Sequence, residues 1–174
     1  MDRIWAPWRI QYILGIKPED KARSSEEDPC VLCALRKSEP EKDRGNLLLH
    51  RGEHSIIMMN LYPYNSGHLM FVPNTHTGDF EQLSGDETAE IMSFAQRMIP
   101  VFKKVMNPDG YNLGINLGRV AGAGIIDHVH LHLVPRWNGD ANFMPVIGET
   151  KVISDHIEMT YDRLLKGMKE AGFD

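Results

Sequence analysis

Cysteine is scarce in this chain. Of 174 residues only Cys30 and Cys33 carry thiols. Two cysteines cannot build a disulfide-stapled scaffold, and in a reducing compartment a Cys-x-x-Cys pair points to a metal or a redox couple first. Long apolar runs are also lacking. None approaches the roughly 20 residues of a membrane-spanning helix, and the opening Met1-Asp2-Arg3-Ile4-Trp5 has no signal-peptide pattern. The expected compartment is the cytoplasm, with no membrane partner. Positive charge is in deficit: 19 Lys and Arg stand against 24 Asp and Glu, a net charge of -5. No nucleic-acid partner is expected, because phosphate backbones are held by an excess of Lys and Arg. A small phosphorylated ligand needs only a local site.

What is present suits a soluble globular protein, with 42% hydrophobic and 25% charged residues. Neither a repeat nor a linker divides the chain, so residues 1–174 read as one domain. Up to about residue 45 an N-terminal extension shows little periodicity and carries Pro7, Pro18, Pro29 and Pro40. Its segment Lys17 to Asp28 is highly charged and reads as a loop. Strands are predicted at Asn46–His50 and Ser55–Asn60, joined by a turn at Arg51-Gly52-Glu53. Further strands are predicted at His68–Val72, Tyr111–Leu117 and His128–Val134. Ser84 with Glu87 matches a capping box, and Ile91, Phe94, Ala95, Met98, Ile99, Phe102 and Val105 follow at helical spacing. Pro100 is predicted to kink or split that helix. A second helix is expected over Ser154–Gly167. The class is α+β: a mostly antiparallel five-stranded sheet with a long helix and a C-terminal helix.

The chemistry concentrates in His128-Val129-His130-Leu131-His132-Leu133-Val134. On an extended chain this alternation puts three imidazoles on one face, about 7 Å apart, and Val129, Leu131 and Leu133 on the other. A solvated strand face or a metal clip would use the same spacing. A neutral imidazole is also a nucleophile toward phosphorus, available at neutral pH. Flanking imidazoles disfavour its protonation and can hydrogen-bond phosphate oxygens or a leaving group. The preceding Gly118 to Gly124 turn, which includes Gly122, lets backbone N–H groups approach anionic oxygens closely. A metal has a second set of candidates: Cys30 and Cys33 precede His50 and His54 with finger-like spacing, although those histidines lie across a predicted turn.

The histidine motif resembles the signature of the histidine triad (HIT) superfamily of nucleotide hydrolases and transferases. Asn60 to His68, Asn112 to Gly118, Pro135 to Phe143 and Trp5 to Tyr12 resemble its bacterial diadenosine tetraphosphate phosphorylase branch. The resemblance implies His130 as the nucleophile on an α-phosphorus, forming a nucleotidyl-histidine. It implies His132 on the transferred phosphate and a group near His128 helping the first product leave. Asn60 would take the ribose position, Leu61 a wall of the base pocket, and Asn116 a phosphate-side amide. Trp137 would shape the second nucleotide's site; a packing role on the sheet edge is the alternative. Gly124 stands where many members carry Gln or Ser, so its backbone N–H is what remains to serve the phosphate.

Phosphorolysis by inorganic phosphate is the activity the branch implies. Hydrolysis of the same substrates or of nucleoside phosphoramidates is the first alternative, and a nucleotide-binding regulatory protein with little turnover the second. Members form dimers, so a homodimer or higher homo-oligomer is expected. No organic cofactor is implied. Some members bind a structural zinc through two cysteines, a histidine after the third strand and the first triad histidine, here Cys30, Cys33, His76 and His128. This set is favoured over the local His50 and His54 set, with two metal-free thiols as the third option.

Overall fold

A computed structural model describes residues 30–141 and 156–173 of the chain. The charged Lys17 to Asp28 segment, Trp5 to Tyr12, Asn142, Phe143 and Ser154 lie outside the described residues. Five strands, β1 (Leu48–Arg51), β2 (Ser55–Met59), β3 (Leu69–Pro73), β4 (Gly110–Ile115) and β5 (Leu131–Arg136), form one antiparallel sheet in the order β1-β2-β3-β5-β4. The first strand starts later than its apolar run suggests. Leu47 has a positive φ of 59°, and the β1–β2 register shifts between Leu48 and His50.

Alternation sorts the sheet's side chains into two buried layers. Ile57, Met59, Leu69, Phe71, Leu131 and Leu133 join the long helix α2 (Gly85–Val105) and the C-terminal helix α3 (Ile157–Glu170) in one core. Leu48, Ile56, Met58, Met70 and Val72 point the other way and pack under the short helix α1 (Val31–Lys37). α2 and α3 approach each other closely at Gly167, where an added Cβ would lie 2.7 Å from Val105 Cγ1. Glycine is the residue that permits that crossing.

The capping box forms as read: Ser84 Oγ accepts from the Glu87 N–H, and the Glu87 carboxylate accepts from the Ser84 N–H. Pro100 does not split α2, which runs through it as one element. Pro100 and Gln96, the residue whose carbonyl loses its i+4 partner, are both exposed. Water can satisfy that carbonyl, so the proline is tolerated. The C-terminal helix begins three residues later than expected, at Ile157, and extends to Glu170.

Candidate functional site

Only the last triad histidine lies within the sheet ladder. Opposite Leu131 is Ile115, where β4 ends and the chain leaves for the glycine-rich turn. Upstream of Leu131 there is no β4 partner, and the chain bends at His128 before Val129, whose N–H donates to the Thr77 carbonyl at 2.7 Å. The alternation survives. Leu131 and Leu133 face the helices, while His132 sits opposite Met70 on the other face and His128 lies among the α1 cysteines. All three imidazoles are buried.

Two ring tautomers follow from the contacts. His130 Nδ1 lies 2.8 Å from the His128 carbonyl oxygen. A carbonyl only accepts, so the proton is on Nδ1 and the Nε2 lone pair is free to attack. The second tautomer starts at His68, the fully buried residue just before β3. The Tyr64 backbone N–H donates to His68 Nδ1 at 3.0 Å. In the neutral ring the proton is then on Nε2, which donates to His132 Nδ1 at 2.9 Å. His132 is left with its own proton on Nε2, available to an anionic oxygen; the Asn116 amide, 3.5 Å away, accepts that proton once its oxygen is turned toward the ring. The His130 and His132 rings meet edge to face, 4.7 Å between centroids.

Burial lowers the pKa of all three triad histidines, and for His132 desolvation, with the neighbouring His130 second, carries it down to about 4. They are therefore neutral at pH 7, as nucleophilic and donor roles require. A stability consequence has a definite sign. The unfolded His132 binds its proton near pH 6.5, so above that pH both states are neutral. As pH falls from 6.5 toward 4 the unfolded chain gains a proton that the folded chain refuses, costing up to about 3 kcal/mol. Urea midpoints at pH 7.5, 5.5 and 4.5 should fall in that order, and His132→Asn should flatten the slope. An unchanged slope in the variant would refute the assignment.

A second cluster adjoins the triad. Cys30, Cys33, His76 and His128 bring one donor atom each to within 4.8 Å of one another. Cys30 Sγ and His128 Nδ1 are 3.4 Å apart, Cys33 Sγ lies 3.4 Å from His76 Nδ1 and 3.5 Å from His128 Nδ1, and the two Nδ1 atoms are 3.4 Å apart. A tetrahedral zinc with Zn–S of about 2.3 Å and Zn–N of about 2.05 Å requires S···N edges near 3.5 Å and N···N edges near 3.3 Å. The donor set fits. The His128 Nε2–H donates to the Pro73 carbonyl at 2.9 Å, the outer hydrogen bond that orients a ligating imidazole. His50 is elsewhere, its ring between Phe94 and Phe173 in the helix-side core. The local His50 and His54 pairing is thereby corrected: β1 turns His50 to the face opposite the cysteines.

A HIT domain model matches residues 42–139. Over 155 residues the chain is 40% identical to a Mycobacterium tuberculosis protein named AP-4-A phosphorylase, covering 88% of this chain and 77% of the relative. This chain belongs to the HIT family. It is 28% identical over 109 residues to an adenosine 5'-monophosphoramidase of Schizosaccharomyces pombe, covering 63% of this chain and 75% of the other. Among solved structures, a zinc-bound histidine triad family protein from Mycobacterium smegmatis superposes with a TM-score of 0.65 at 25% identity, covering 82% of this chain and 94% of that one.

Within this HIT enzyme the other expected site residues divide. Asn60 follows β2 and adjoins His68, its Oδ1 accepting the Tyr62 N–H and its Nδ2 3.5 Å from His68 Nδ1. Asn116 adjoins His132. Gly122 adopts the left-handed φ of 93° that closes the turn, and Gly124 is exposed. Leu61 packs against the helix-side core. Trp137 stands at the far end of β5, its indole N–H donating to the Met106 carbonyl beyond α2, away from the triad within one chain. Sequence reading missed His68 and Tyr64. The signal was an imidazole at the entrance to an aliphatic strand, but its meaning depends on the β3–β5 pairing.

Proposed function

We propose that the chain is a nucleotidyl transferase that cleaves dinucleoside polyphosphates such as diadenosine tetraphosphate at the α-phosphate and passes the nucleotidyl group to inorganic phosphate. The observation that carries this reading is the His130 tautomer: a buried neutral imidazole with Nδ1–H tied to a carbonyl has Nε2 available toward a phosphorus. The 40% identity to a protein named AP-4-A phosphorylase supports this substrate. Nε2 attacks the α-phosphorus, and the bond to the bridging oxygen breaks with its electron pair going to the departing nucleoside triphosphate. The His132 Nε2–H donates to the phosphate as its geometry changes, a kind of contact worth roughly 10²- to 10³-fold in rate. Phosphate oxygen then displaces His130, giving a nucleoside diphosphate. Asn60 and Leu61 would hold ribose and base, and Asn116 with the N–H groups of Gly122 and Gly124 the phosphates. Trp137 would serve the second nucleotide.

Cys30, Cys33, His76 and His128 would hold zinc, which supplies a structural crosslink. The role of His128 is then to orient: its ring is anchored, and its carbonyl sets the proton of His130. We also take residues 1–174 as one domain and the cytoplasm as its compartment, where thiols stay reduced. We infer a homodimer, since the outer edge of β4 is unpaired among the described residues and Asn112, Leu113 and Gly114 are exposed there. Sedimentation as a monomer would remove that inference.

Product analysis with diadenosine tetraphosphate decides the acceptor. With phosphate present the expected products are ADP and ATP. AMP and ATP formed without phosphate would make the chain a hydrolase, and no turnover of this substrate would overturn the reading.

A further inference from the structure

The proton arrangement on His132 depends on where the loop between β2 and β3 sits, because that loop supplies the Tyr64 N–H that fixes His68. The segment has no ladder of its own. Its tie to the end of β5 is Asn65, a buried side chain that spends both amide protons there. One goes to the Pro135 carbonyl at 3.0 Å and the other to Asp140 Oδ2 at 2.7 Å. Asp140 is the hub of this junction. Its carboxylate also accepts from Arg136 Nε at 2.6 Å, Arg136 Nη2 at 2.8 Å and the Trp137 N–H at 3.1 Å. Arg136 Nη1 reaches on to Asn112 Oδ1 at 2.7 Å on β4. The Asp140 side chain is only 10% exposed, whereas that of Arg136 is 45% exposed, so the shielded part of the hub is the Asp140 carboxylate with its Asn65 bond.

The connection from hub to site is continuous. The His68 N–H donates to the Asn65 carbonyl at 3.1 Å. The next residue back, Tyr64, donates its own N–H to His68 Nδ1, and its ring lies 4.6 Å from the His68 centroid and 5.8 Å from that of His132. Moving Asn65 therefore moves the donor that sets the His68 tautomer. With that donor withdrawn, Nδ1 of His68 faces only the longer Asn60 Nδ2 contact at 3.5 Å, and His68 can carry its proton on Nδ1. Its bare Nε2 then accepts from His132 Nδ1–H, and His132 turns a lone pair toward the substrate's anionic oxygens instead of a proton.

We propose that Asp140, through Asn65, is a positioning residue that holds the His68–His132 pair in the tautomer that donates to the transferred phosphate. This rests on the reading of His132 as a phosphate contact.

The test compares Asp140→Ala, Asn65→Ala and the double variant in the metal-loaded protein. The first readout is the ¹⁵N spectrum of the histidine rings at pH 7.5 without substrate. Wild type should show His132 protonated at Nε2, and both single variants should show it shifted toward Nδ1. This readout needs no turnover, so it stands or falls separately from the assigned reaction. The second readout is kinetic. Each single variant should lose at least about tenfold in kcat with KM within threefold, and the double variant should be no worse than the more impaired single variant, as expected for one chain of contacts. An unchanged His132 tautomer in both single variants, or multiplicative kcat losses in the double variant, would overturn the proposal. If Asp140→Ala does not fold, Asn65→Ala alone carries both readouts.

Discussion

His130→Ala lowers turnover of diadenosine tetraphosphate by roughly 10⁴- to 10⁶-fold, the scale on which enzymes lose rate when a covalent nucleophile is removed. The size of the loss follows from what remains. His132 keeps its donor from His68, and Asn60 and Asn116 keep their positions, so substrate binding should change little. No other imidazole can take over. His68 Nε2 is directed at His132, and both ring nitrogens of His128 are engaged by the cysteine cluster and the Pro73 carbonyl. The variant should therefore lose kcat while nucleotide affinity, read by calorimetry with AMP, stays within a few-fold. A KM effect with kcat preserved would mean that His130 binds the substrate without attacking it.

Cys30→Ser is the second large effect, and it lies outside the reacting atoms. A metal held at a thousandfold excess over its Kd stabilises a fold by about 4 kcal/mol. For a chain of this length, that corresponds to a fall in Tm of roughly 10 °C. The variant should lose most of its zinc by elemental analysis and melt earlier by about that much, while the nucleophile stays in the chain. Activity should fall less than in His130→Ala, because the His128 carbonyl is displaced without being removed. Full zinc content with an unchanged Tm would remove the metal from the account. The arrangement explains why α1, only seven residues long, belongs to the site: it carries Cys33 and packs on the same sheet face as the triad.

The sequence made the chemistry more legible than the pairing. Three histidines at alternate positions disclose a shared face wherever the chain is extended, so the triad could be read before the ladder was known. The capping box and the apolar stripe of α2 are local patterns and were equally readable. What could not be read is non-local. Strand β5 starts at Leu131, where its pairing with both β4 and β3 ends, a fact that depends on register. His68 becomes the partner of His132 only when β3 lies beside β5 with Met70 opposite His132. The choice between His50 and His76 for the metal turned on which face β1 gives His50, which a bulge near Leu48 helps decide. Whether Pro100 splits the helix depends on where the orphaned Gln96 carbonyl points, and with Gln96 exposed the helix runs through unsplit.

The central claim is covalent, so the most direct measurement is to trap the adduct. The protein is mixed with diadenosine tetraphosphate in the absence of phosphate, quenched within the first turnover under conditions that preserve phosphoramidates, and its intact mass and peptides are read. The account predicts one adenylyl group per chain on His130, absent from His130→Ala and discharged as ADP when phosphate is added before the quench. Rapid formation of products with no adduct on the protein, or an adduct on a residue other than His130, would contradict it.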